Sequence, residues 1–316
     1  MSRIRMLAAA AVLAAAMGTA TAALAADPAS CKTVRFSDVG WTDITATTAT
    51  ASVILEALGY APEVQVLSVP VTYASLKNKD IDVFLGNWMP TMEADIAPYR
   101  ADGSVETLVT NLEGAKYTLA VPSYTFEAGL KTFDDIAKFK DKLGGKIYGI
   151  EPGNDGNRLI LDMIANDQFG LGGFELVESS EAGMLSQVTR AASARQDVVF
   201  LGWEPHPMNA NIDMDYLDGG DAVFGPNFGG ATVHTNVRAG FASECPNIGA
   251  LLNNMVFSLK MENEIMGAIL NDGAEPNAAA AAWLKANPDT LTPWLAGVTT
   301  LDGGEALAAV KSRLGL

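Results

Sequence analysis

The stretch from Thr33 to Pro90, "TVRFSDVGWTDITATTATASVILEALGYAPEVQVLSVPVTYASLKNKDIDVFLGNWMP", decides the fold. Within it "TVRFSD" reads as a strand and "ITATTATASVILEALGY" as a helix that stops near Gly59. "EVQVLSV" reads as a second strand, "VTYASLKNKD" as a second helix and "IDVFLG" as a third strand. Parallel neighbours need a crossover long enough for a helix, so this alternation predicts a mostly parallel sheet covered by helices on both faces. Sandwiches and barrels do not produce it.

The alternation continues outward. "KYTLAVP", "KIYGI", "FELVES" and "DVVFLG" read as strands, with helices over "GNRLILDMIANDQFG" and "EAGMLSQVTRAASAR". "TVHTNVRAG" is one more strand-like run, and three helical stretches follow: "NIGALLNNMVFSLKMENEIMGAIL", "PNAAAAAWLKAN" and "GEALAAVKSRLGL". No low-complexity linker separates the halves, which disfavours domains on a flexible tether. The pattern predicts two α/β lobes joined by strand-like crossovers near Gly114 and Gly229. One lobe comprises residues 26–114 and 230–316, the other residues 115–229.

Before this pattern the chain carries Arg3 and Arg5, the apolar run "MLAAAAVLAAAMG", and "ALA" ending at Ala25. That is the layout of a secretory signal peptide over residues 1–25, with a mature chain beginning near Ala26 or Asp27. The run is too short and too alanine-rich to read as a membrane span. Without Arg3 and Arg5 the chain holds 19 basic against 37 acidic side chains, a net charge of −18. Lys and Arg form no cluster, which argues against a nucleic-acid partner. Cys31 and Cys245 are the two cysteines, and in an oxidising compartment they point to one disulfide. Neither stands at zinc-ligand spacing from a second Cys or a His.

Two matching segments raise the question of function. "DVFLGNWMPTM" (Asp82 to Met92) and "DVVFLGWEPHPM" (Asp197 to Met208) each run from an apolar strand through Leu-Gly to a tryptophan and then a proline. In open α/β sheets ligands sit beyond the carboxyl ends of the strands. If the lobes face each other, Trp88 and Trp203 approach one cleft from opposite sides; the alternative is that each caps its own core. Catalytic motifs are missing: there is no G-x-S-x-G, H-E-x-x-H, Walker loop or G-x-G-x-x-G. The histidines are His206, hemmed by prolines like a turn constituent, and His234. The acidic run "DMDYLDGGD" lacks the ligand order of a calcium loop and reads as a solvated loop. Trp283 and Trp294 read as core residues. The balance favours a binder over a catalyst, with no cofactor and no metal.

Three further stretches complete a pattern. "DVGWTDI" sets Trp41 and Asp43 at the start of the first helix, "AKYTLAVP" sets Tyr117 on a crossover strand, and "EPGNDGNR" sets Asn154 between a strand and a helix. With "FLGNWMP" and "FLGWEPHPMN", these resemble the substrate-binding proteins of glycine betaine and choline ABC importers, across essentially the whole mature chain. The resemblance implies the type II periplasmic binding protein fold, two α/β lobes with mostly parallel sheets hinged around a ligand cleft. It implies a box of aromatic rings for a quaternary ammonium group, here Trp41 and Trp88 from the first lobe with Tyr117 and Trp203 from the second. It also implies Asp43 and Asn154 as polar partners for the rest of the ligand, and a Cys31–Cys245 disulfide of the kind seen in choline-binding members. Both polar residues have plainer readings, Asp43 as a helix cap and Asn154 as a turn-former.

The expectation is a monomeric periplasmic receptor for choline, with a membrane permease as partner and acetylcholine or betaines as further candidate ligands. A receptor for glycine betaine or another betaine is the nearest alternative. A secreted hydrolase of a quaternary-ammonium ester is another, and it lacks a visible nucleophile and base.

Overall fold

The structure, a computed structural model, describes residues 27–316; the signal-peptide reading lies outside them. Nine strands form one curled sheet: β1 (Thr33–Asp38), β2 (Ala61–Val66), β3 (Val83–Met89), β4 (Val105–Pro122), β5 (Lys146–Tyr148), β6 (Glu175–Val177), β7 (Phe200–Glu204), β8 (Met214–Tyr216) and β9 (Gly230–Arg238). Their order is β2-β1-β3-β9-β4-β7-β5-β6, with β8 paired to β4. Pairing is parallel at each end, where β1 joins β2 and β3, and β5 joins β6 and β7. It is antiparallel through the middle, where β9 runs between β3 and β4, and β4 also meets β7 and β8. The long strands β4 and β9 pair with each other in the middle of the sheet, and the 18-residue β4 carries Gly114 and Tyr117 within one strand.

The first helix, α1 (Thr42–Ala57), is buried along most of its length. Its Ala46, Ala49 and Ala51 permit close packing, and two of its hydroxyls are returned to its own backbone: Thr50 donates to the Ala46 carbonyl at 2.8 Å and Thr47 to that of Asp43 at 3.1 Å. This is how a threonine-rich sequence forms a core helix. Gly86 in β3 is required by the same packing, since a Cβ there would lie 2.7 Å from Ile44.

Beneath the sheet Asp82 accepts from Arg35 at 2.9 and 2.7 Å and from Arg238 at 2.7 Å, which ties β1, β3 and β9 together. Burial pushes the Asp82 carboxyl up, but the two guanidinium groups outweigh it and hold the group below its ordinary value. Cys31 and Cys245 are joined, with Cα atoms 5.8 Å apart, so the start of β1 is tied to the segment after β9.

Several expectations need correction. The run from Asn247 to Leu270 is two helices, Pro246–Asn254 and Leu259–Leu270. The chain breaks because Phe257 donates its N–H to the Asn111 carbonyl, while Ser258 caps the second helix. The acidic run is not all loop: Met214–Tyr216 is a strand on the edge of β4. Trp283 is only partly buried and donates to Glu264, whereas Trp294 lies in the core. His206 is indeed in a turn, where its Nδ1 accepts from the Met208 N–H, but it is buried at 1% exposure.

Candidate functional site

β3 and β7 each carry a tryptophan one residue before their end, and each is followed by a cis peptide bond, Met89–Pro90 and Glu204–Pro205. Trp88 and Trp203 reach a common, tightly closed cavity of about 10 Å³ lined by Trp41, Asp43, Trp88, Tyr117, Ile150 and Trp203. Trp41 comes from the residue preceding α1, and Tyr117 from β4 directly opposite Trp203 in the sheet register. Ring centroids of Trp88 and Tyr117 are 6.0 Å apart, and those of Tyr117 and Trp203 6.3 Å apart and nearly perpendicular. All four aromatic side chains are 3–6% exposed, so the cavity is shut.

Three of the four rings are fixed by hydrogen bonds. The Trp88 indole N–H donates to Asp43 Oδ2 at 3.0 Å, and that of Trp41 to Glu151 Oε1 at 2.8 Å. The Tyr117 hydroxyl donates to Asn154 Oδ1 at 3.1 Å. Asn154 therefore stands one layer back from the cavity: it caps the helix Asp155–Ala165 by accepting from the Asn157 N–H, and it fixes the tyrosine. Gly156 makes that approach possible, because a Cβ at this position would lie 2.1 Å from the Tyr117 hydroxyl oxygen.

Among the residues lining the cavity Asp43 is the one ionisable carboxylate, and no Lys, Arg or His lines it. Its Oδ2 takes the Trp88 bond, while its buried Oδ1 has no hydrogen-bond partner. Burial, with the Glu181 carboxylate nearby, pushes Asp43 up to about 8. Burial likewise raises Glu151 to about 7 and Asp155 to about 6, and burial with the Asp43 charge drives Glu262 well above its ordinary value. Carboxyls dried in this way hold their protons while nothing offsets the charge, and a cation in the site favours their ionised form. Arg158 is spent at the rim, donating to the Thr91 carbonyl at 3.1 Å and to Asp95 at 2.8 Å. Lys116 points elsewhere, to Glu204 at 3.4 Å.

Sequence reasoning missed Ile150, Glu151, Glu181 and the role of His206. Ile150 follows a visible strand, but nothing local marks it as a wall of a cavity. Glu181 accepts from the Thr42 N–H and hydroxyl and from His206, contacts that exist only because distant segments meet.

Two α/β lobes meeting over an enclosed cavity are the architecture of the type II periplasmic binding proteins. The chain belongs to the family described as the substrate binding domain of ABC-type glycine betaine transport systems, which matches residues 32–286. It is 71% identical to an ABC-transporter choline binding protein solved in complex with choline, covering 92% of this chain and 100% of that one, with a TM-score of 0.90. A choline binding protein in an unliganded semi-closed conformation is 72% identical over 91% of this chain and 100% of that one, with a TM-score of 0.84. The glycine betaine/carnitine transport binding protein GbuC of Listeria monocytogenes is 30% identical, over 60% of this chain and 60% of its own length.

Proposed function

We propose that the protein is a periplasmic receptor that binds choline and delivers it, as a monomer, to the membrane permease of an ABC importer. Trp41, Trp88, Tyr117 and Trp203 surround the trimethylammonium group, and Asp43 accepts the hydroxyl. Asn154 acts indirectly, by holding Tyr117. Residues 26–114 and 230–316 form one lobe and residues 115–229 the other, so that ligand completes the box as they close. The cavity and its surroundings support a binder rather than an enzyme.

The observation that carries this reading is the unpartnered Asp43 Oδ1 in a cavity otherwise lined by aromatic rings and Ile150. A trimethylammonium group has no N–H, so ring faces must recognise it, each for about 0.5–2 kcal/mol. Four such rings supply much of the roughly 8 kcal/mol of a micromolar affinity, less ordering costs. A buried oxygen lacking a donor then finds one in choline's O–H. Glycine betaine has the same head but ends in a carboxylate, which would face Asp43 where no basic side chain lines the wall.

Titration calorimetry with choline, acetylcholine, glycine betaine and proline betaine tests the reading. Choline should bind at least ~10-fold tighter than glycine betaine, about 1.4 kcal/mol. Equal or tighter binding of glycine betaine would remove choline as the ligand, and release of choline from acetylcholine would make the protein a hydrolase.

A further inference from the structure

We propose that Glu181 is the closure latch of this receptor, a positioning residue that touches no ligand and caps the first helix of the opposite lobe when the cleft is shut. The inference rests on the receptor reading above. Helix α1 begins at Thr42, and its N-cap residue, Trp41, offers no side-chain hydrogen bond. The first N–H groups of a helix need partners from outside it. Here the partner crosses the cleft: Glu181 Oε2 accepts from the Thr42 N–H at 2.9 Å and Oε1 from the Thr42 hydroxyl at 2.5 Å.

Glu181 itself opens the helix Glu181–Ser193, so its carboxylate lies at the positive ends of two helices, one from each lobe. The same Oε1 accepts from His206 Nε2 at 3.2 Å. The Met208 N–H donates to His206 Nδ1 at 3.0 Å, which places the ring proton on Nε2. The His206 ring in turn packs edge-on against Trp203, with centroids 5.0 Å apart. Contacts therefore run without a gap from Trp203 through His206 and Glu181 to Thr42, which sits between Trp41 and Asp43. Glu181, Thr42 and His206 are 4%, 8% and 1% exposed. Opening the cleft withdraws Thr42 from Glu181 in the same movement that withdraws Trp41 and Asp43 from Trp203. The latch thus acts on how long the box stays shut, not on how ligand enters.

The test uses the full chain and its Glu181→Gln, Thr42→Val, Thr42→Ser and Glu181→Gln/Thr42→Val variants, each checked for fold by circular dichroism. Stopped-flow tryptophan fluorescence with choline reads association and dissociation separately. Glu181→Gln and Thr42→Val should each speed dissociation at least ~10-fold while association changes little. Thr42→Ser, which keeps the hydroxyl, should stay near the unmutated protein. The double variant should lose less than the sum of the two single ones, because both weaken the same Glu181–Thr42 pairing. Unchanged dissociation in the single variants, additive losses, or a Thr42→Ser defect equal to that of Thr42→Val would overturn the latch. Should the unmutated protein fail to bind choline, the receptor reading falls; small-angle scattering of ligand-free protein still decides the latch, which requires Glu181→Gln to be more extended than its parent.

Discussion

Replacing Asp43 by asparagine should stabilise the ligand-free protein while weakening its hold on choline, and the size of the effect should depend on pH in a defined way. Burial and the Glu181 charge raise the Asp43 carboxyl from an ordinary 3.8 to about 8 in the folded protein. Between those values the folded state keeps a proton that the unfolded chain has lost. Stability contributed by this group is fully present below about pH 4, falls by about 1.4 kcal/mol per pH unit as pH rises, and levels off above about pH 8. Asparagine does not titrate. Its advantage over aspartate should therefore grow by about 4 kcal/mol between pH 5 and pH 8, less a constant cost of about 1–3 kcal/mol for amide hydrogens left without partners. Urea unfolding of both proteins at one-unit steps from pH 5 to pH 9, without ligand, measures the difference directly. Saturating choline should reverse the order, since the cation favours the ionised carboxylate. A stability difference that stays constant from pH 5 to pH 9 would refute the reasoning, because it would mean that Asp43 is hydrated in the ligand-free protein.

Gly156→Ala should weaken choline binding ~10-fold or more, since the added methyl displaces the Tyr117 hydroxyl; calorimetry checks it, and unchanged affinity would show that the ring adapts freely. Reduction of Cys31–Cys245 should lower thermal stability, by up to roughly 5 kcal/mol in the chain-entropy limit, with ligand affinity nearly unchanged; a large loss of affinity in folded, reduced protein would mean that the bond restrains closure. Choline should make the protein more compact and alter its tryptophan emission, and identical scattering and emission with and without saturating ligand would count against hinged closure.

What the sequence disclosed, and what it did not, follows the range of the forces involved. Strands such as β1 and β3 are short apolar runs flanked by helix-length segments, so their existence and order are local properties. The aromatic residues were legible because Trp88 and Trp203 stand at equivalent strand ends, and Trp41 and Tyr117 complete a resemblance. The break at Met255–Ser258 was not, because it is enforced by Asn111, far away in sequence. Strand β8 exists through pairing with β4 and would not form from its acidic sequence alone. Asn154 was recognisable as a helix start, but its bond to Tyr117 depends on how β4 lies against the helix it caps. Glu181 reads as an ordinary acidic first-turn residue until Thr42 is brought to it.

The sulfur bridge between Cys31 and Cys245 also determines how the protein bears a load. Tension applied to Asp27 and Leu316 passes along the first few residues, crosses from one sulfur to the other, and leaves through the C-terminal helices. Everything between the two cysteines, including β4, β9 and all four rings of the box, hangs off that path and feels no pull. Stretched by its ends in oxidised form, the chain should release only about 75 residues, roughly 25–27 nm of contour. The sequence separation of 214 between the cysteines sets the remainder, roughly 70–77 nm, which becomes available only once the bridge is reduced. The cleft is thus mechanically insulated from a pull on Asp27 and Leu316.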